Sequence, residues 1–158
     1  GQLQRSQQPW TIMAFHHPIF SSGEGRDNAK LRRSWKPLID AFEVDLVLQG
    51  HDHTYARGHT LDDSLVEEGP QERVVSVYIN SVSGPKMYEF SDDAWDEYAD
   101  HGVVLRRKAE DTQLFQVISA SPEILKVRSY TAAGTLFDAF ELRKTPDGIK
   151  SLKASASE

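Results

Sequence analysis

Four histidines stand at two places where the chain leaves an apolar run. His16 and His17 follow residues 10–15 (WTIMAF) and precede Pro18, while His51 and His53 flank Asp52 directly after Gly50, which ends the branched run 44–49 (VDLVLQ). Neutral imidazole suits Zn, Fe, Mn or Ni, and residues two apart in an extended segment point to the same side. His51 and His53 can therefore serve one metal each or share one. The chain contains no cysteine, which excludes disulfides, thiolate metal sites and a cysteine nucleophile. Any metal must be held by His, Asp, Glu or Asn.

The elements that position these histidines are legible in the apolar pattern. Residues 10–15 read as a buried strand stopped by Pro18. Leu31, Trp35, Leu38, Ile39 and Phe42 recur at helical spacing after Asp27 or Asn28, either of which can cap the start. Pro37 predicts two shorter helices meeting near Trp35. Residues 44–49 have the composition of an interior parallel strand. Strand, helix and strand in this length form a crossover that sets the two strands side by side. His16 then lies at a carboxyl edge next to His51 and His53.

The remainder changes character. Residues 73–79, 113–119, 124–130 and 135–142 read as strands. Turn chemistry at Ser121-Pro122 and Ala133-Gly134 makes an antiparallel meander of the last three. The acidic stretch between Ser91 and Gly102 predicts one short helix capped by Ser91, with Trp95 and Tyr98 on one face. Residues 1–144 are expected to form one folded unit and residues 145–158 a flexible tail.

With 158 residues, 39% apolar and 27% charged, the chain is long enough for one domain with a core. A net charge of −6 opposes a grip on nucleic acid or an anionic membrane. No apolar run approaches the ~18 residues that span a bilayer. His17 should point away from its neighbour His16, and His59 and His101 read as solvated. Arg106, Arg107 and Lys108 read as a solvated basic face. Asp52 is expected to bond within its own loop, and Arg26 and Asn28 to have structural roles. Other His-x-His chemistries fit poorly: the His-x-His-x-Asp-His metal motif needs Asp and His where Tyr55 and Ala56 stand. An all-β metal fold conflicts with the helix after Asn28.

HHPIFSSGEGRDN, followed by LRRSWKPLIDAFEVDLVLQGHDHTYAR, resembles the downstream motifs of the calcineurin-like metallophosphoesterases, within them the purple acid phosphatase-like branch. The resemblance is specific from Trp10 to about Arg57. It implies an α/β fold: half of an αββα sandwich, with a parallel strand-helix-strand unit followed by a mostly antiparallel sheet. It implies hydrolysis of small-molecule phosphoesters at a centre of two divalent or mixed-valence metal ions (Fe, Zn or Mn), with His16 and His51 on one metal and His53 on the other. No catalytic or other cofactor-binding residue is carried over. The family's upstream Asp-x-His, Gly-Asp-x-x-Asp and Gly-Asn-His motifs have no counterpart, since the chain contains no Asp-x-His, Gly-Asp or Asn-His. The resemblance therefore describes the carboxyl-terminal half of a catalytic domain, whose expected partner is the amino-terminal half and which is inactive alone. A noncatalytic or degenerate metal-binding or interaction module is the alternative. A secreted or periplasmic location follows from the resemblance. Self-association is expected through apolar faces at Trp10, Ile12, Leu46 and Leu48.

Overall fold

The computed structural model describes residue 3 and residues 6–61, 72–91 and 95–155. Its elements run β1 (Ile12–Ala14), α1 (Ala29–Ala41), β2 (Leu46–Gln49), β3 (Tyr55–Leu61), β4 (Glu72–Asn80), a 3-10 segment (Asp96–His101), β5 (Val103–Ala109), β6 (Leu114–Ala120), β7 (Ile124–Thr131), β8 (Leu136–Lys144) and β9 (Lys150–Ala154).

Strand β4 joins two sheets. Its residues Val77 to Asn80 pair in parallel with β2, which pairs in parallel with β1. On its other side β4 pairs antiparallel with β3, and β3 with β5. At its start, Glu72 and Arg73 pair with β9, the first strand of the antiparallel run β9-β8-β7-β6. The result is a curled mixed α/β sheet in which β1, β2 and β4 run parallel and the other pairings are antiparallel, in line with the expected parallel strand-helix-strand unit and mostly antiparallel remainder.

Alternation along the central strands sends side chains to two cores. Val47, Ala56 and Tyr78 join Ile19, Phe20, Ile39, Trp95 and Tyr98 on the helical side. Leu46, Tyr55, Val77 and Ile79 meet Leu114, Leu125, Val127, Phe140 and Leu142 from the meander. Each such burial contributes roughly 1.5–3 kcal/mol, which is why β2 is apolar on both faces; β1, expected to be a buried strand, instead lies at the end of the sheet with Ile12 and Ala14 exposed and Met13 half-buried. Leu46 is fully buried and Leu48 packs against the same cluster, so this face of β2 is covered from within the chain. Ile12, on β1 at the end of the sheet, remains 42% exposed.

Several expectations need correction. Pro37 lies inside one continuous 13-residue helix. Pro37 and Arg33, whose carbonyl loses its partner to the ring, both face solvent. The turn is bridged by Lys36 and Asp40, 2.6 Å apart, and the Phe42 N–H closes the helix on the Leu38 carbonyl at 3.1 Å. Asn28 is the N-cap residue but makes no capping bond through its side chain. The helix expected after Ser91 is a 3-10 segment that begins at Asp96; residues 92–94 lie outside those described. The basic run Arg106 to Lys108 lies in β5, paired with β3, with Arg106 and Lys108 exposed as a solvated face requires and Arg107 half-buried. Within the segment expected to be a tail, Lys150–Ala154 is β9, inserted between β4 and β8 with Leu152 buried. Buried Lys150 reaches the Asp45 carboxylate at 3.2 Å and the Glu43 carbonyl at 2.9 Å.

Candidate metal centre

The parallel ladder carries the histidines to one edge. Beyond the pair Ala14 and Leu48, the Phe15 N–H donates to the Leu48 carbonyl at 3.1 Å and the Gly50 N–H to the His16 carbonyl at 3.0 Å. His16 thus sits beside the exit from β2.

The loop that follows holds two L-residues in the left-handed region, His51 at φ 73° and His53 at φ 54°. Such backbone costs on the order of 1–2 kcal/mol per residue and persists only where its surroundings enforce it. Gly50, by contrast, has no positive φ, and a Cβ there would make only ordinary contacts at 3.8 Å. The enforcing group is Asp52. Its fully buried carboxylate accepts hydrogen bonds from the backbone N–H groups of Ser22 at 2.6 Å and Gly23 at 3.3 Å, with Arg26 at 3.8 Å. Asp52 therefore bonds a different loop from its own, contrary to the sequence expectation. Ser22 Oγ meets Thr54 Oγ1 at 2.7 Å and accepts from Asn80 Nδ2 at 2.8 Å. Loops from β1, β2 and β4 are thereby clamped together beneath the histidines.

Above this clamp His51 Nδ1 lies 3.2 Å from His16 Nε2. His17 does not point away: its ring centroid is 4.1 Å from that of His51 and 5.1 Å from that of His16. One nitrogen from each of His16, His17 and His51 lies within 4.8 Å of the others. Burial and the neighbouring His17 and Arg26 push the His51 pKa below its ordinary value, which favours the neutral, metal-binding form. His53, also expected as a ligand, is outside this group. Its Nδ1 donates to the Lys86 carbonyl at 2.7 Å and its ring packs on Tyr88. That bond sets the tautomer and leaves the Nε2 lone pair available, the arrangement usual for a metal-ligating histidine. The donor chemistry fits a borderline transition metal, since every candidate atom is an imidazole nitrogen.

The other residues singled out in the sequence resolve as follows. His59 is fully buried with Nε2 2.9 Å from Glu72, and His101 accepts from Arg32 Nε at 3.2 Å, so neither is simply solvated. Arg26 stacks over Tyr88 with its guanidinium carbon 4.5 Å from the ring centroid. Asn28 Nδ2 donates to the Pro18 carbonyl at 2.8 Å and to Ser21 Oγ at 3.1 Å. Arg106 pairs with Glu72, and Arg107 covers Phe137. The sequence reading missed the clustering of His17, for which the doubled histidine was the only available sign, and the role of Asn80.

No family model matches the chain. An uncharacterized protein of Mycobacterium tuberculosis is 37% identical over 62 residues, 38% of this chain and 12% of that protein. Purple acid phosphatase 3 of Arabidopsis thaliana is 33% identical over 63 residues, 40% of this chain and 17% of the phosphatase. The chain thus spans less than a fifth of the length of these curated relatives. The structure of purple acid phosphatase PPD1 from yellow lupin (Lupinus luteus) superposes with a TM-score of 0.67 over 92% of this chain and 27% of that one, at 17% identity. Likeness in sequence over the matched segment and likeness in fold over nearly the whole chain place this protein among the relatives of the purple acid phosphatases, with the metallophosphoesterase fold.

Proposed function

We propose that this chain supplies the histidine side of a binuclear metal centre that hydrolyses small-molecule phosphoesters, with His16 and His51 holding one metal and His53 the other. The observation that carries the reading is the approach of His51 Nδ1 to His16 Nε2 at 3.2 Å, achieved with left-handed backbone at both His51 and His53. Strained backbone at two metal-competent residues in one loop is spent on aiming side chains.

Bound metal would supply Lewis-acid stabilisation of the phosphoryl oxygens and a water of lowered pKa. The chain's own residues do the positioning. His51 presents neutral nitrogen because burial and nearby positive groups disfavour its proton. The Lys86 carbonyl fixes the tautomer of His53. Asp52 holds the loop between them by its bonds to Ser22 and Gly23. Among the described residues the close-packed group contains imidazoles and no carboxylate, so a bridging oxygen ligand must come from outside it. This is also the observation that favours the second reading, a noncatalytic metal-binding module.

The test is metal content and aryl-phosphate hydrolysis of the full-length gene product, as wild type and with His16→Ala, His51→Ala or His53→Ala. Metal-dependent turnover that falls at least a hundredfold in each variant is expected. Bound metal without turnover in the wild type would favour the noncatalytic module, and turnover indifferent to all three substitutions would overturn both readings.

A further inference from the structure

His17 is exposed, adjacent in sequence to a proposed ligand, and not needed by the reading above. Its ring nevertheless lies closer to His51 than the His16 ring does, with centroids 4.1 Å apart against 5.1 Å. The three rings meet at interplanar angles of 54°, 77° and 79°.

We propose that His17 is a third nitrogen donor at the His16 and His51 position, which then takes one borderline divalent ion such as Zn²⁺ or Co²⁺ on three imidazoles. This rests on the assignment of His16 and His51 as metal ligands and deepens it. Metal to nitrogen distances near 2.0–2.1 Å put tetrahedral donors about 3.3 Å from one another. His51 and His16 already stand at 3.2 Å, and all three nitrogens lie within 4.8 Å.

The remaining closure falls to the exposed His17 side chain, because its backbone is held from both sides. The His16 carbonyl accepts from the Gly50 N–H at 3.0 Å, the Pro18 carbonyl from Asn28 Nδ2 at 2.8 Å and the Ile19 carbonyl from Arg32 Nη1 at 3.0 Å. Pro18, Ile19 and Phe20 are buried. Rotation about the His17 side-chain bonds costs little for an exposed group. Three imidazoles leave the fourth position of a tetrahedral ion open to water or to a phosphoryl oxygen.

The experiment is Co²⁺ titration of the 158-residue chain followed by visible absorption, with Zn²⁺ competition and an imidazole count by X-ray absorption. The variants are His17→Ala, His16→Ala, His51→Ala and His53→Ala, each checked by circular dichroism. His17→Ala is expected to weaken the first equivalent at least tenfold and to lower its count from three imidazoles to two. His53→Ala should leave that count at three. If His17→Ala matches the wild type while His16→Ala abolishes binding, the inference fails and the assignment of His16 stands. If neither His16→Ala nor His51→Ala alters the titration, or the wild type binds no ion, both fail.

Discussion

The Asp52 carboxylate accepts the Ser22 backbone N–H at 2.6 Å, across thirty residues of sequence. The side chain between two candidate ligands therefore points down into the protein and fastens the loop that leaves β1 to the loop that leaves β2. Because His51 and His53 flank it, whatever holds Asp52 also sets the direction of both imidazoles.

Replacing Asp52 by Ala leaves the Ser22 and Gly23 N–H groups without their charged acceptor in a buried setting. A loss of about 2–3 kcal/mol is expected in urea unfolding, together with roughly tenfold weaker Zn²⁺ binding. Asp52→Asn retains an acceptor oxygen and should lose less of both. An unchanged urea midpoint and unchanged Zn²⁺ affinity in Asp52→Ala would show that the clamp is idle.

Gly58 lies under Trp95 in β3. A Cβ there would come within 2.1 Å of Trp95 Cζ3 and 2.2 Å of the Val104 carbonyl oxygen in the paired strand β5. Backbone cannot retreat as a side chain can, so Gly58→Ala should cost about 3 kcal/mol or more. Gly84→Ala, where nothing lies within 4 Å of the new atom, is the control and should melt with the parent. Thermal unfolding of the two variants is the comparison, and equal melting temperatures would refute the packing argument.

Arg57 and Asp138 tie the two sheets together. Arg57 Nε and Nη2 donate to the Asp138 carboxylate at 2.5 and 3.0 Å, and Tyr55 Oη donates to it at 2.8 Å. Asp138→Ala strands a buried guanidinium and should cost about 3–5 kcal/mol. The double replacement Arg57→Met with Asp138→Leu removes both charges and should cost distinctly less. Urea unfolding of the single and double variants decides the matter; equal losses would mean that the charge left behind is not the problem.

His59 makes stability depend on pH. Burial is the main cause that pushes its pKa from the ordinary 6.5 down to about 4, with Arg106 and Arg57 adding to the effect and Glu72 opposing it. Below pH 6.5 the unfolded chain takes up a proton that the folded chain refuses until about pH 4. The unfolded state therefore binds more protons in that window, and stability falls as pH is lowered through it. The contribution is complete above pH 6.5. In His59→Gln the fall between pH 6.5 and 4 should be shallower, read from urea midpoints at successive pH values. Parallel profiles for the two proteins would assign the fall to other groups.

The unit β1-α1-β2 was legible because its signals are local. Apolar runs of strand length, helical spacing between them and punctuation by Pro18 and Gly50 all lie within a few residues of the features they define. The same signals misjudged Pro37, because an exposed helix face tolerates the missing hydrogen bond. They also overlooked β3, β5 and β9. In these strands Arg57, His59 and Lys150 are buried polar groups whose partners, Asp138, Glu72 and Asp45, come from other strands or loops. A polar residue signals solvent in a sequence until its partner is known.

The sequence by itself determined that histidines would gather at the carboxyl edge of a parallel strand pair, since two short apolar runs joined by an amphipathic helix, one ending in His16 and the other in Gly50-His51, pair side by side through the crossover. Which imidazoles meet was decided only by the tertiary structure. His51 and His53 adopt left-handed backbone, which nothing in their residue types announces, and they are held there by Asp52 bonding to a loop thirty residues away. That geometry brings His17 toward His51 and turns His53 to the Lys86 carbonyl. Spacing along the chain sets where a side chain leaves the fold; its direction comes from long-range hydrogen bonds that pay for strained backbone.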